Sequence, residues 1–186
     1  MKIDITLKVT PDMLNTAWAN TSKTLVGHLG THFDVMDKEF PLKYTELEAV
    51  VFDVSSIRDR DIDIQDINLD LVKENMFVAF HTAFINEVEY GTSEYFKTHP
   101  QLSNELIDAL LDKKISIIGI DAGGIRRSKE HTPADQKCAD HDVFVIENLC
   151  NLESVLAINA KFLASTYPMR VSGITGLPCR VIAKIV

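Results

Sequence analysis

The stretch GHLGTHFDVMDKEF, residues 27 to 40, places two histidines and an aspartate at 28, 32 and 34 around Gly30 and Thr31. These are the donor types of a zinc or manganese site. Taken singly, each histidine could equally be an ordinary core or surface residue. Backbone geometry narrows the choice. On a helix, the step of about 100° puts His28 and His32 on one face and turns Asp34 about 200° away from His32. On a straight strand the three share a face, but the Cα atoms of residues 28 and 34 stand roughly 20 Å apart. Metal–ligand bonds are only about 2 Å long. One ion can meet all three side chains only if the chain bends sharply between them, and Gly30 is the residue that permits the bend.

Outward from this stretch, the chain has 186 residues, 46% of them hydrophobic, enough for one sizeable core and short for two. The expectation is a single domain over residues 1–186. Nineteen basic against 27 acidic residues give a net charge of −8. No lysine or arginine run occurs, which excludes a track for nucleic-acid phosphates. The partner expected is a small-molecule substrate. MKIDITLKVT alternates like a strand and lacks a signal-peptide core, and no apolar run reaches membrane-span length. This reading places the protein in the cytoplasm, away from nucleic acid and membrane. Cys138, Cys150 and Cys179 are widely spaced without a CxxC pair, which suits reduced packing residues. A Cys138 nucleophile partnered by His141 is the alternative.

Valine-, isoleucine- and phenylalanine-rich segments predict strands at 2–9, 23–29, 49–54, 76–82, 115–121, 143–147 and 178–186. LSNELIDALLDKK, 102–114, predicts a helix with Ser103 as cap, apolar Leu106, Ile107, Leu110 and Leu111, and a basic end. PADQKCADH, 133–141, predicts a second, with proline near its start. Asp121 closes the strand ISIIGID before a glycine pair, either as a projecting functional group or as a turn cap. In the last strand, Arg180 is expected to point opposite to its apolar neighbours. Without repeats or linkers, the class is α/β or α+β with a mixed sheet.

HLGTHFD, followed in order by YFKTHPQLS, IIGIDAGGI, VIENLCNLES and GLPCRVIA, resembles the cyclase family of metal-dependent hydrolases, which includes bacterial kynurenine formamidases and isatin hydrolases. The likeness covers nearly the whole chain, and HxGTHxD is its most specific element. It implies an α/β fold, a single swivelling β/β/α domain with a mixed β-sheet core, assembled as a homodimer or homotetramer. It also implies hydrolysis of a small amide or cyclic amide, with His28, His32 and Asp34 as metal ligands. A divalent metal lowers the pKa of water and polarises the carbonyl.

The pattern breaks at two points. The family continues HxGTHxD with xPxH, where this chain has Met36 and Lys38. Twelve residues before the family's iiEnL acid, here Glu147, the family has a histidine and this chain has Asp135. An ammonium cannot bind a metal, so the expectation is one divalent ion per chain, zinc or manganese. Lys38 would take the charge position of the lost ion, pair with Asp34, Asp135 or Glu147, and act with Glu147 and Asp135 in proton transfer. The alternative is a solvent-facing Lys38. Glu147 continues the apolar row of Val143 and Val145 on one strand face, and both it and Asp135 could instead be solvated charges.

His81 is either a neighbour of the site or a core histidine bonded to backbone. Arg126, Arg127, Lys129 and His131 form a polar loop that either clamps a substrate carboxylate or is merely solvated. His99 serves the turn before the helix, and His141 lies at the surface. Two other functions compete with the hydrolase: a metal-binding or regulatory module without turnover, and a metal-dependent lyase or dehydratase.

Overall fold

The computed structural model describes residues 1–20 and 27–185. Its centre is four parallel strands: β3 (Glu46–Asp53), β4 (Phe77–His81), β5 (Ile117–Ile120) and β6 (Phe144–Glu147). A parallel sheet covered on both faces needs unbroken apolar strands. That is why AVVF, FVAF, ISIIGI and VFVI are legible as strands without alternation. Val50, Phe52, Val78, Phe80, Ile118, Ile120 and Val145 face one core. Ala49, Val51, Phe77, Ala79, Ile117, Phe144 and Ile146 face the other.

Antiparallel strands extend the sheet on both sides. Beyond β3 come β7 (Lys161–Thr166), β9 (Val181–Lys184) and β1 (Lys2–Asp4); beyond β6 come β2 (His32–Asp34) and β8 (Gly176–Pro178). The order is β1-β9-β7-β3-β4-β5-β6-β2-β8. The sheet is curled. Ile3, Ile5 and Val181 from one edge share the second core with Phe33 and Leu177 from the other, and Ile5 O accepts from Cys150 N just after β6.

Six α-helices are described: α1 (Pro11–Ala19), α2 (Phe84–Glu87), α3 (Ser93–Thr98), α4 (Asn104–Asp112), α5 (His131–Asp140) and α6 (Leu152–Leu156). Leu106, Ile107, Leu110 and Leu111 of α4, with Ala134 and Cys138 of α5, cover the first face; Leu152 and Val155 of α6 cover part of the second. Ser103 caps α4, accepting from Leu106 N at 3.0 Å. Of the strand expected at 23–29, residues 23–26 lie outside the described residues, and Gly27 to Gly30 form a turn rather than a strand. The helix expected at 133–141 starts two residues earlier, at His131. Pro133 stands third in it, where the amide has no intrahelical acceptor and its loss is harmless. Among the described residues no helix is long and apolar enough to cross a membrane.

Candidate metal centre

β2 is three residues long and wholly buried. Its pairing with β6 sets His32 opposite Glu147 and Asp34 opposite Val145. Directly opposed residues project from the same face, so this register places His32, Asp34 and Glu147 together. The turn before β2 brings in His28. Gly27 and Gly30 both take the left-handed backbone, with φ of 79° and 66°. A Cβ on Gly27 would lie 2.0 Å from Gly176 O, and one on Gly30 2.7 Å from the Val9 side chain.

His28 Nδ1 lies 2.9 Å from Asp34 Oδ1 and 2.9 Å from His32 Nε2. His32 Nε2 is 3.8 Å from Asp34 Oδ1 and 3.5 Å from Glu147 Oε2. The structure thus brings His28, His32 and Asp34 within the reach of one ion. It also builds a second group from Asp34, His131, Asp135 and Glu147. His131 and Asp135 are four residues apart on α5 and share a face. His131 Nε2 stands 3.4 Å from Asp135 Oδ2 and 3.4 Å from Glu147 Oε1. Its place in the helix's first turn, rather than in the expected polar loop, directs it at the sheet.

Asp34 Oδ2, Asp135 Oδ1 and Glu147 Oε1 are buried without a hydrogen bond. Buried carboxylate oxygens are rarely left so, and an ion is one of the few partners that satisfies several together. The donor sets, two imidazoles with a carboxylate and one imidazole with three, suit zinc, manganese or iron. Burial, with the Asp34 charge beside it, holds the Asp135 carboxyl well above the ordinary carboxylate range. Burial also raises Glu147, and Asp34 and Asp135 add to the effect. Asp34 goes the other way: burial raises it, but the hydrogen bond from His28 and the imidazoles around it lower it overall. Burial lowers His32 despite Asp34.

Residues 3–126 match the family model described as "Putative cyclase". The chain belongs to the cyclase family. No match was found among curated proteins. Among solved structures, this cyclase-family chain is similar to a "potential metal-dependent hydrolase with cyclase activity" at 23% identity and a TM-score of 0.77, covering 98% of this chain and 96% of that one. A "predicted metal-dependent hydrolase" from Bacillus stearothermophilus matches at 21% identity and a TM-score of 0.73, over 98% and 97% of the two chains. Isatin hydrolase A from Labrenzia aggregata, bound to benzyl benzoate, matches at 20% identity and a TM-score of 0.70, over 84% and 72%. At these identities the likeness is one of fold.

Lys38 departs from its expected position. Lys38 N bonds Val35 O at 2.9 Å in a turn that passes through left-handed Met36, φ 54°. This turn takes the side chain off the face that carries Asp34. Lys38 Nζ lies 3.4 Å from Asp140 Oδ1 and 3.7 Å from Asp37 Oδ2. Among the described residues no ion pair joins it to Asp34, Asp135 or Glu147. It lines a cleft of about 1160 Å³ whose wall includes Phe40, Tyr167, Met169 and Thr175. The cleft adjoins the histidines at Thr175, whose Oγ1 is 3.0 Å from His28 Nε2.

The other candidates have structural partners. His81 Nδ1 bonds Asp121 Oδ2 at 3.0 Å, a carboxylate rather than backbone, and Asp121 also accepts from Thr82 N, Thr82 Oγ1 and Ala83 N. Arg126 is buried against Asp61, Glu130 and the Leu102 carbonyl, and Arg127 Nε donates to Gln101 Oε1. Their guanidinium groups are thus bonded within the loop and to the segments beside it. His99 Nδ1 donates to Pro100 O at 2.8 Å. His141 Nδ1 donates to Lys137 O, and the Cys138 thiol is buried and pushed up in pKa by that burial, so this pair forms no nucleophile. Arg180 pairs outward with Asp4 at 2.7 Å.

Proposed function

We propose that this cyclase-family chain is a metal-dependent hydrolase of a small amide or cyclic amide, with two ion positions that share Asp34. The observation that carries the reading is the set of buried, unbonded carboxyl oxygens on Asp34, Asp135 and Glu147 beside three imidazoles. His28, His32 and Asp34 would hold the first ion; Asp34, His131, Asp135 and Glu147 the second. The ground for a single ion was a lysine in the second position, and His131 stands there instead. A divalent cation bound here would lower the pKa of water and polarise a carbonyl.

The chain's own residues do the orienting. Asp34 turns Oδ1 to the first pair of histidines, and its unbonded Oδ2 remains for the second group. Thr175 holds the outer nitrogen of His28 at the cleft wall. The cleft, with Phe40 and Tyr167 beside Lys38, suits a flat apolar body that carries a polar or anionic tail. Glu147 and Asp135 stand in the ion positions and would carry protons there only until a cation displaces them. Lys38 contacts substrate from the cleft wall.

The test is turnover of N-formyl aromatic amines and cyclic amides by protein stripped with chelator and reloaded with zinc or manganese. Hydrolysis restored by metal and abolished by Asp34→Ala is expected. A reloaded protein that binds ions and hydrolyses none of the panel would favour the module without turnover.

A further inference from the structure

The path that fixes His32 runs through a backbone carbonyl to a buried amide. His32 Nδ1 is 2.9 Å from Gly30 O. A carbonyl only accepts, so Nδ1 carries the hydrogen, and in the neutral ring Nε2 then keeps its lone pair on the side where His28, Asp34 and Glu147 gather. Gly30 O accepts a second hydrogen bond, from Asn148 Nδ2 at 3.0 Å. Asn148 Oδ1 accepts from the Tyr95 hydroxyl at 2.8 Å, so both ends of the amide are assigned by their partners. Tyr95 is fully buried, and burial raises its phenol so that it stays a donor.

Asn148 itself has little freedom. It is 1% exposed and takes the left-handed backbone, φ 58°, at the end of β6. Its N–H donates to Ala122 O, and its carbonyl accepts from Thr31 Oγ1 at 2.6 Å. The Gly30 N–H donates to Tyr90 Oη at 2.9 Å, with the Tyr90 and Tyr95 rings 5.4 Å apart. The peptide groups of Gly30 are thus held by Tyr90, from the segment before α3, and by Asn148, the residue that follows Glu147.

We propose that Asn148, oriented by Tyr95, is a positioning residue that sets the tautomer and aim of His32 through the Gly30 carbonyl. This rests on the reading of His32 as an ion ligand. A ligand histidine whose other nitrogen is anchored loses less freedom on binding and keeps its basic nitrogen forward. An aspartate at 148 could still accept from Tyr95, but it would offer Gly30 O no donor. The amide supplies both functions at once.

Two variants isolate the chain of bonds. Tyr95→Phe removes one oxygen. Asn148→Gly removes the amide while keeping the left-handed backbone accessible. Each is to be checked for native circular dichroism, then titrated with zinc against a chromophoric chelator. The ¹⁵N shifts of His32 are to be read in the metal-free protein.

Both variants are expected to weaken zinc binding by about 10- to 100-fold and to turn a single Nδ1–H tautomer into a mixture. In a His32→Ala background the same changes are expected to shift zinc affinity by less than about twofold, because their effect passes through that ring. Equal losses with and without His32, or an unaltered tautomer in folded variants, would overturn the proposal. A wild-type protein that takes no zinc would sink the functional reading instead, and the tautomer measurement would still decide this one.

Discussion

His131 and Lys38 exchange the roles that their positions in the sequence suggest. Lys38 sits four residues past Asp34, yet the turn at left-handed Met36 sends its ammonium to Asp140 and Asp37. Lys38→Ala is expected to leave metal content unchanged and to raise KM for an anionic substrate several-fold with kcat nearly constant. A large fall in kcat would restore it to the chemistry. The triad at 28, 32 and 34 was legible because only a sharp bend reconciles its spacing with one ion, and Gly30 supplied the bend. His131 was not legible, because it depends on a helix that starts two residues before its proline.

Protonation gives a second residue-scale prediction. Burial and neighbouring carboxylates raise Asp135 and Glu147, so below those raised values the metal-free pocket keeps protons on them. A cation needs the bare carboxylates. Ion uptake is therefore expected to release protons and to tighten as pH rises through those raised values. Calorimetry in buffers of different ionisation heat measures the release, and uptake without proton release would contradict the assignment.

At the scale of elements, α4 could be read from its sequence because cap, periodic leucines and basic end agree. Leu110 is fully buried in it, and Leu110→Ala is expected to cost about 2–5 kcal/mol in urea unfolding. β2 and β8 escaped notice, since three-residue strands carry too little pattern to register. Their pairing is set by β6 and by the curl of the sheet. The Gly27–Gly30 turn is more exacting. Gly30→Ala adds a Cβ 2.7 Å from Val9 at φ 66°, a left-handed strain of roughly 1–2 kcal/mol. It is expected to weaken ion binding at the first position more than it lowers the unfolding midpoint.

Across the whole molecule, the parallel centre was readable from four apolar runs, whereas the order of its edges was not. Strand order depends on contacts between residues far apart in sequence, such as Ile5 with Val181 and Cys150, which no local pattern records. The curled sheet and α5 together confine three carboxyl groups close to one another, which in the metal-free chain are buried with oxygens that no hydrogen bond satisfies, a cost to folding that a bound cation offsets. Zinc or manganese at about 100 times its dissociation constant is therefore expected to stabilise the fold by about 2.7 kcal/mol or more, seen as a rise in melting temperature that chelator reverses.

Metal content per chain, by mass spectrometry after reconstitution and desalting, tests the shared-aspartate centre most directly. The account predicts about two ions in the wild type, about one in His131→Ala and close to none in Asp34→Ala. A single ion in the wild type that His131→Ala leaves in place would contradict it.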